Sequence, residues 1–157
     1  MSIERVKEYF GGFSMADRIQ QFPVSSATVE LAAAALGCEG RRIAKTLSFL
    51  VDGAPVLVVA AGDARIDNGK FKAFFDAKAK MLSPQEAVTL VGHAVGGVCP
   101  FAVNEGVRTY LDLSLKRFET VFPACGNSNS AIELTLPELE RLSRAQAWID
   151  VCKDWQE

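Results

Sequence analysis

The sequence predicts an α+β fold: a mixed, mainly antiparallel sheet with helices packed around it. Hydrophobic residues make up 49% of the 157-residue chain, enough for one core and one domain over residues 1–157. Strand-like stretches at 107–113, 119–124 and 130–135 follow one another with no helical pattern between them, so they need no crossover helices. Asp52-Gly53 sits between two long apolar stretches, 43–51 and 54–61, and is a strong two-residue hairpin signal.

The remaining elements follow from local chemistry. Ser14 followed by Asp17 reads as a helix start, with Ile19 and Phe22 on its apolar side. Thr28 can cap a helix through the alanine-rich run to Leu36, and Gly37 can end it in a left-handed conformation. Asp67 caps a helix carrying Phe71, Phe74 and Phe75. Ser83-Pro84-Gln85-Glu86 is a capping box with proline at the first helical position, and Thr135-Leu136-Pro137-Glu138 is a second, opening a helix to about Ser143. The stretch 92–106 reads as a structured loop, and Trp148 to Cys152 as a last strand.

Composition narrows the function classes. No apolar run reaches the ~20 residues of a membrane span, and the charged, amphipathic start MSIERVKEYF lacks the apolar core of a secretory signal. A cytoplasmic protein without a membrane partner is the expectation. Cys38, Cys99, Cys125 and Cys152 show no CxxC spacing and His93 is the sole histidine, so neither a zinc site nor a disulfide framework is expected. Net charge is −2, with a slight basic excess in residues 1–80 and an acidic excess beyond. That is not the footprint of a DNA-duplex binder; a nucleic-acid partner would need a local basic patch, for which Arg41, Arg42, Lys45, Arg65, Lys70 and Lys72 are available. A solvated surface accounts for most of these residues equally well.

Lys45 is the informative residue. Period two places it on one face with Ile43, Leu47, Phe49 and Val51, where an ammonium is costly unless paired or solvated. Either it snorkels to water at the strand end, or it is a pocket lysine holding a phosphate, carboxylate or carbonyl oxygen. Gly96-Gly97, stiffened by Pro100, is either a plain tight turn or a backbone cradle for an oxyanion. The polar turn Gly126-Asn127-Ser128-Asn129-Ser130 is either a hairpin loop or a ligand-binding edge. A Cys99–His93 dyad fits poorly, because Cys99 precedes a proline in a loop with no helix N-terminus to activate it, and His93 by itself reads as structural. No GxSxG, GxxxxGK[ST] or GxGxxG occurs.

Taken in order, these features resemble the YbaK/ProX family of trans-acting aminoacyl-tRNA deacylases, related to the editing domain of bacterial prolyl-tRNA synthetases. The resemblance runs over about residues 22–142. It rests on Thr28-Val29-Glu30 with Ala32, Ala33, Leu36 and Gly37, on Ile43-Ala44-Lys45-Thr46-Leu47, and on Gly62-Asp63-Ala64-Arg65-Ile66-Asp67 with Lys70. It continues through Ser83-Pro84-Gln85-Glu86, Gly92-His93, Gly96 to Phe101, Gly126 and Ile132-Glu133-Leu134-Thr135. It implies a curved mixed sheet partly closed into a barrel and a cleft beside Lys45, floored by the Gly96-Gly97 to Pro100 loop. Lys45, Gly96 and Gly97 would carry catalysis. Thr46, His93, Pro100, Gly126, Asn127 and Asn129 would bind substrate. The reaction implied is hydrolysis of a mischarged tRNA ester of a small amino acid, without metal or cofactor. The partners implied are the tRNA acceptor end and, beyond it, an aminoacyl-tRNA synthetase. Residues 22–26 depart from the cysteine-specific branch. A non-catalytic tRNA- or nucleotide-binding module and a small-ligand sensor are the alternatives.

Overall fold

The computed structural model describes residues 2–155. Its centre is the expected hairpin. β2 (Ile43–Val51) and β3 (Ala54–Ala61) pair antiparallel from Ala44↔Ala61 to Val51↔Ala54, turning through Asp52 and Gly53, both at positive φ. From Val56 onward β3 is fully buried on both faces, because it lies in mid-sheet between β2 and β5 (Arg108–Asp112). The six-stranded sheet runs β8-β6-β2-β3-β5-β9, with β6 at Thr120–Pro123, β8 at Leu134–Thr135 and β9 at Trp148–Ile149. It curls into a half-barrel. Within it β2–β3 and β6–β8 are antiparallel, and the short β2–β6, β3–β5 and β5–β9 pairings are parallel. Two antiparallel ribbons complete the mixed architecture: β1 (Gln20–Gln21) with β7 (Ser130–Ala131), and β4 (Arg65–Ile66) with β10 (Cys152–Lys153).

Several local expectations take a different form in the fold. Ser14 starts no α-helix: only a 3-10 turn, Ala16–Arg18, forms, and residues 20–21 are drawn into β1. Phe22 precedes Pro23, which disfavours helical backbone there. The 130–135 stretch divides, Ser130–Ala131 pairing with β1 and Leu134–Thr135 with β6. Residues 148–152 likewise supply the start of two strands in different sheets. The N-terminal amphipathic stretch is a helix, α1 (Ser2–Gly11), with Ile3, Val6 and Phe10 inward.

The other helices follow their caps. α2 (Val29–Leu36) is capped by Thr28 and ended by left-handed Gly37, and α3 (Asn68–Phe75) by Asp67. α4 (Pro84–Glu86) and α5 (Leu136–Ser143) each carry a complete capping box. α4 runs on into a π turn, Ala87–Val91. Among the described residues no helix is long and apolar enough to cross a membrane.

One edge of β2 is decisive. β6 pairs with it only at Ile43 and Ala44. Farther along, the segment 80–82 takes over: Leu50 N–H donates to the Lys80 carbonyl at 2.8 Å, and Leu82 N–H to the Ser48 carbonyl at 3.0 Å. Even-numbered residues therefore direct their backbone groups to this edge. The N–H and C=O of Thr46 face a gap that no described strand fills.

Candidate active site

A cavity of about 270 Å³ occupies that gap. Residues 43–48 of β2 form its floor and the start of α2, from Thr28 to Ala32, forms one wall. Gly96, Val98, Ala124 and Ser130 complete its lining, with Gly96 against Ala27. Met81 and Val95, 58% and 63% exposed, stand at its mouth. The lining is largely apolar, so its polar exceptions stand out. Thr46 and Ser130 both line it, and the hydroxyl of each is buried with no hydrogen-bond partner among the described residues. Buried hydroxyls are nearly always paired, so two orphans in one cavity point to a polar ligand group.

Lys45 flanks the floor. Its side chain belongs to the face of Leu47, Phe49 and Val51, whose apolar groups join the main core. The ammonium neither snorkels to open solvent nor stands free: Nζ donates to the Gly62 carbonyl at 3.3 Å and to that of Ala64. A buried network holds that turn. Asp112 accepts from Ser114 N–H at 2.9 Å and Val151 N–H at 3.0 Å, while Ser114 Oγ accepts from Ala61 N–H at 3.0 Å. Arg117 grips Asp63 with two bonds, at 2.6 and 3.0 Å. Burial lowers the Lys45 pKa, and the Asp63 carboxylate works against that shift.

The glycine pair has a packing reason. Gly96 is at φ +95° and forms part of the cavity wall. A Cβ on Gly97 would fall 2.5 Å from Asn127 Cα, so the loop lies directly on the Gly126-Asn127 backbone. Gly97 N–H is used within its own turn, donating to the Ala94 carbonyl at 3.0 Å. Asn129 ties the same turn to the segment that leads into α2: its Nδ2 donates to the Phe22 carbonyl at 2.9 Å, beside the 2.6 Å bond from Ser26 N–H to the Ser128 carbonyl.

The candidates thus fall into three groups. Lys45, Thr46 and Gly96 meet at the cavity. Gly97, Gly126, Asn127 and Asn129 lie behind its wall and hold the loops that form it. His93 and Pro100 face elsewhere. His93 is 1% exposed, bonds the Phe101 carbonyl through Nε2 at 2.8 Å, and is kept neutral by burial. Pro100 borders a separate cavity with Tyr9 and Arg144. Cys99 lies 3.6 Å from His93 Nε2, but burial pushes its thiol up to about 12, the opposite of an activated nucleophile. Of the polar turn 126–130, it is Ser130 that reaches the cavity rather than Asn127 or Asn129; a serine in a polar turn carries no signal of which way it points. Among the described residues no group of three His, Cys, Asp or Glu is placed to hold a metal.

The site is thus an apolar cleft at an interrupted strand edge of a half-barrel sheet, flanked by a lysine and a glycine loop. The model of the aminoacyl-tRNA editing domain family matches residues 24–142, and the chain belongs to that family. The Bacillus subtilis (strain 168) protein YwhH, itself uncharacterised, is 53% identical over 157 residues, covering 99% of this chain and 100% of YwhH. Proline–tRNA ligases match in part. That of Lactiplantibacillus plantarum is 24% identical over 70% of this chain, and that of Latilactobacillus sakei subsp. sakei 32% identical over 57%. The matched part spans only 19% and 16% of those ligases. Among solved structures, a candidate trans-editing enzyme for prolyl tRNA synthetase superposes with a TM-score of 0.87 at 29% identity, covering 97% of each chain. The hypothetical protein APE2540 gives 0.84 at 29% identity, over 95% of this chain and 99% of the other.

Proposed function

We propose that this chain is a trans-acting deacylase that hydrolyses the ester of a mischarged tRNA carrying a small amino acid, with tRNA for proline the first candidate. The observation that carries the reading is the small apolar cavity at Thr46, open at its mouth, where two lining residues each carry a hydroxyl that a rotation could turn to a ligand and that has no partner among the described residues. A side chain of a few carbons fits such a space, while the hydroxyls and the free backbone groups of Thr46 take the polar atoms of the aminoacyl group. Small apolar amino acids differ by only ~1–3 kcal/mol in a synthetase pocket, which is why a second site is needed.

The ester is already activated, so positioning and modest charge stabilisation suffice. The oxygen of a water, its attack assisted by the neighbouring ribose hydroxyl, adds to the carbonyl carbon as the water gives up a proton. The ester C–O bond then breaks, the ribose oxygen leaves with a proton, and free amino acid and tRNA result. Lys45 positions substrate oxygen or the terminal phosphate, exchanging one of its two carbonyl partners for it, and is not a covalent nucleophile. Gly96 lets backbone approach the ester. Acting on the acceptor end places the protein in the cytoplasm, with a synthetase as the natural source of its substrate.

The engagement of Lys45 by Gly62 and Ala64 also suits a second reading, a non-catalytic module of the same fold that binds the acceptor end. One experiment separates them: a panel of mischarged tRNAs, including alanyl- and cysteinyl-tRNA for proline, incubated with wild type and Lys45→Ala. Cleavage of at least one ester, lost in a folded Lys45→Ala, is expected. No cleavage across the panel sinks the enzyme reading, and full activity in the variant sinks the role given to Lys45.

A further inference from the structure

Three lysines lie along the segment that leads from α3 to the cleft, without any part in its lining. Lys72 on α3 and Lys78 just beyond it share a groove with Asn68 and Gly69. Lys80 follows two residues later. Along 76–80 exposure alternates: Asp76, Lys78 and Lys80 face solvent, while Ala77 and Ala79 pack on the main core. The segment is thereby fixed with both lysines on its outer side. It then joins the open edge of β2 through Lys80 and Leu82, and Met81 and Leu82 enter the cavity wall.

The charges on this strip are uncommitted. Among the described residues, ion pairs occupy Arg18, Arg41, Arg42, Lys70 and Arg117, but not Lys72, Lys78 or Lys80. The neighbouring carboxylates do not neutralise it. Glu86 feels the Lys80 charge, but its carboxylate is held by Ser83 N–H at 2.8 Å in the α4 cap, and Asp76 is one carboxylate among three ammonium groups. Lys80 stands opposite Leu50, five residues along β2 from Lys45. At the usual strand rise that is about 17 Å, within the reach of a few nucleotides.

We infer that Lys72, Lys78 and Lys80 form a track for RNA phosphates, receiving the backbone of the acceptor end as its terminal nucleotide enters the cleft between Met81 and Val95. This rests on the proposed tRNA substrate but not on hydrolysis. A row of unpaired ammonium groups leading out of a ligand cavity suits a polyanion whose last unit is the ligand. It also explains how a chain of net charge −2 holds RNA: the contact needs only a local strip.

The test is binding of a labelled, uncharged acceptor-stem minihelix with a single-stranded 3′ end, measured by fluorescence anisotropy across a salt series. Three phosphate contacts on a single strand contribute a slope of about −2 in log affinity against log salt. The triple variant K72A/K78A/K80A is expected to lose that contribution, so that raising salt fourfold weakens it roughly 20-fold less than wild type. R141A, a charge change on α5 with its cation over Phe13, is the control and keeps the wild-type slope. All four side chains are exposed, and unchanged melting curves confirm the fold.

An unchanged slope in the triple variant, an equal loss in R141A, or no binding by wild type at low salt overturns the inference. Lysine-dependent binding to phosphatidylserine vesicles without RNA binding overturns it too, in favour of a membrane surface. Because the minihelix carries no ester, a protein that binds it through these lysines yet cleaves nothing upholds the track and rejects the deacylase. Cleavage with an unaltered slope does the reverse.

Discussion

Thr46→Val separates stability from function. Thr46 Oγ1 is buried in the cavity floor with no partner, and valine replaces it with a methyl of similar size. A buried hydroxyl without a hydrogen bond costs roughly 1–3 kcal/mol. The lower end applies because Thr46 as a residue is only half-buried, although its hydroxyl is covered. The variant should therefore be more stable by about 1 kcal/mol, which raises the melting temperature of a domain of this size by about 2–4 °C. If the hydroxyl bonds substrate in the transition state, its removal costs about 0.5–1.5 kcal/mol, a fall in kcat/KM of roughly 2- to 12-fold. Ser130→Ala should behave alike. The double variant should lose less than the sum if both hydroxyls serve one ligand group. Urea denaturation and steady-state deacylation of the best ester from the panel measure both sides. A Thr46→Val protein destabilised by about 1 kcal/mol or more, or one with unchanged kcat/KM, refutes the reasoning.

Three further outcomes follow from the site and its surroundings. Burial lowers the Lys45 pKa, so enzymatic deacylation, corrected for spontaneous hydrolysis, should decline as pH rises, and do so before the pH at which a free lysine titrates; Lys45→Arg, charged throughout, should abolish that decline, and an identical profile would speak against an ammonium at work. Cys99→Ala should keep wild-type activity, and iodoacetamide should leave the native protein active, since the thiol is fully buried and pushed up to about 12; a tenfold loss in a folded variant would revive a thiol mechanism. The Arg18 guanidinium holds Glu138 down to about 2, so the stability from this pair is complete above the ordinary carboxylate value and is lost as pH falls from there through about 2. With the side chains 41% and 26% exposed, solvent screening leaves about 1 kcal/mol. Urea unfolding of wild type and Glu138→Gln, compared at neutral and acid pH, should show that difference shrinking in acid.

How much of the site could be read beforehand depends on the range of the physics involved. Capping is local, and Thr28, Asp67, Ser83 and Thr135 each start the helix that their side chains dictate. Ser14 fails as a helix start because a distant strand, Ser130–Ala131, claims residues 20–21. Period two placed Lys45 on the core face but could not place Nζ, whose partners at Gly62 and Ala64 lie across the hairpin. Gly97 looked like a donor of free N–H; its need for glycine comes instead from Asn127, 30 residues away.

The chain by itself, through its caps, its Asp-Gly turn and its alternating strands, determined the mixed sheet, the helices around it and the lysine on its central hairpin. Tertiary structure decided where the cleft lies. The gap at Thr46 exists because β6 leaves the edge of β2 after Ala44 and residues 80–82 rejoin it only at Ser48. That interruption is a property of three segments at once. No window of sequence contains it, and it brings Thr46 and Ser130, 84 residues apart in the chain, to one cavity, each with an unpaired hydroxyl.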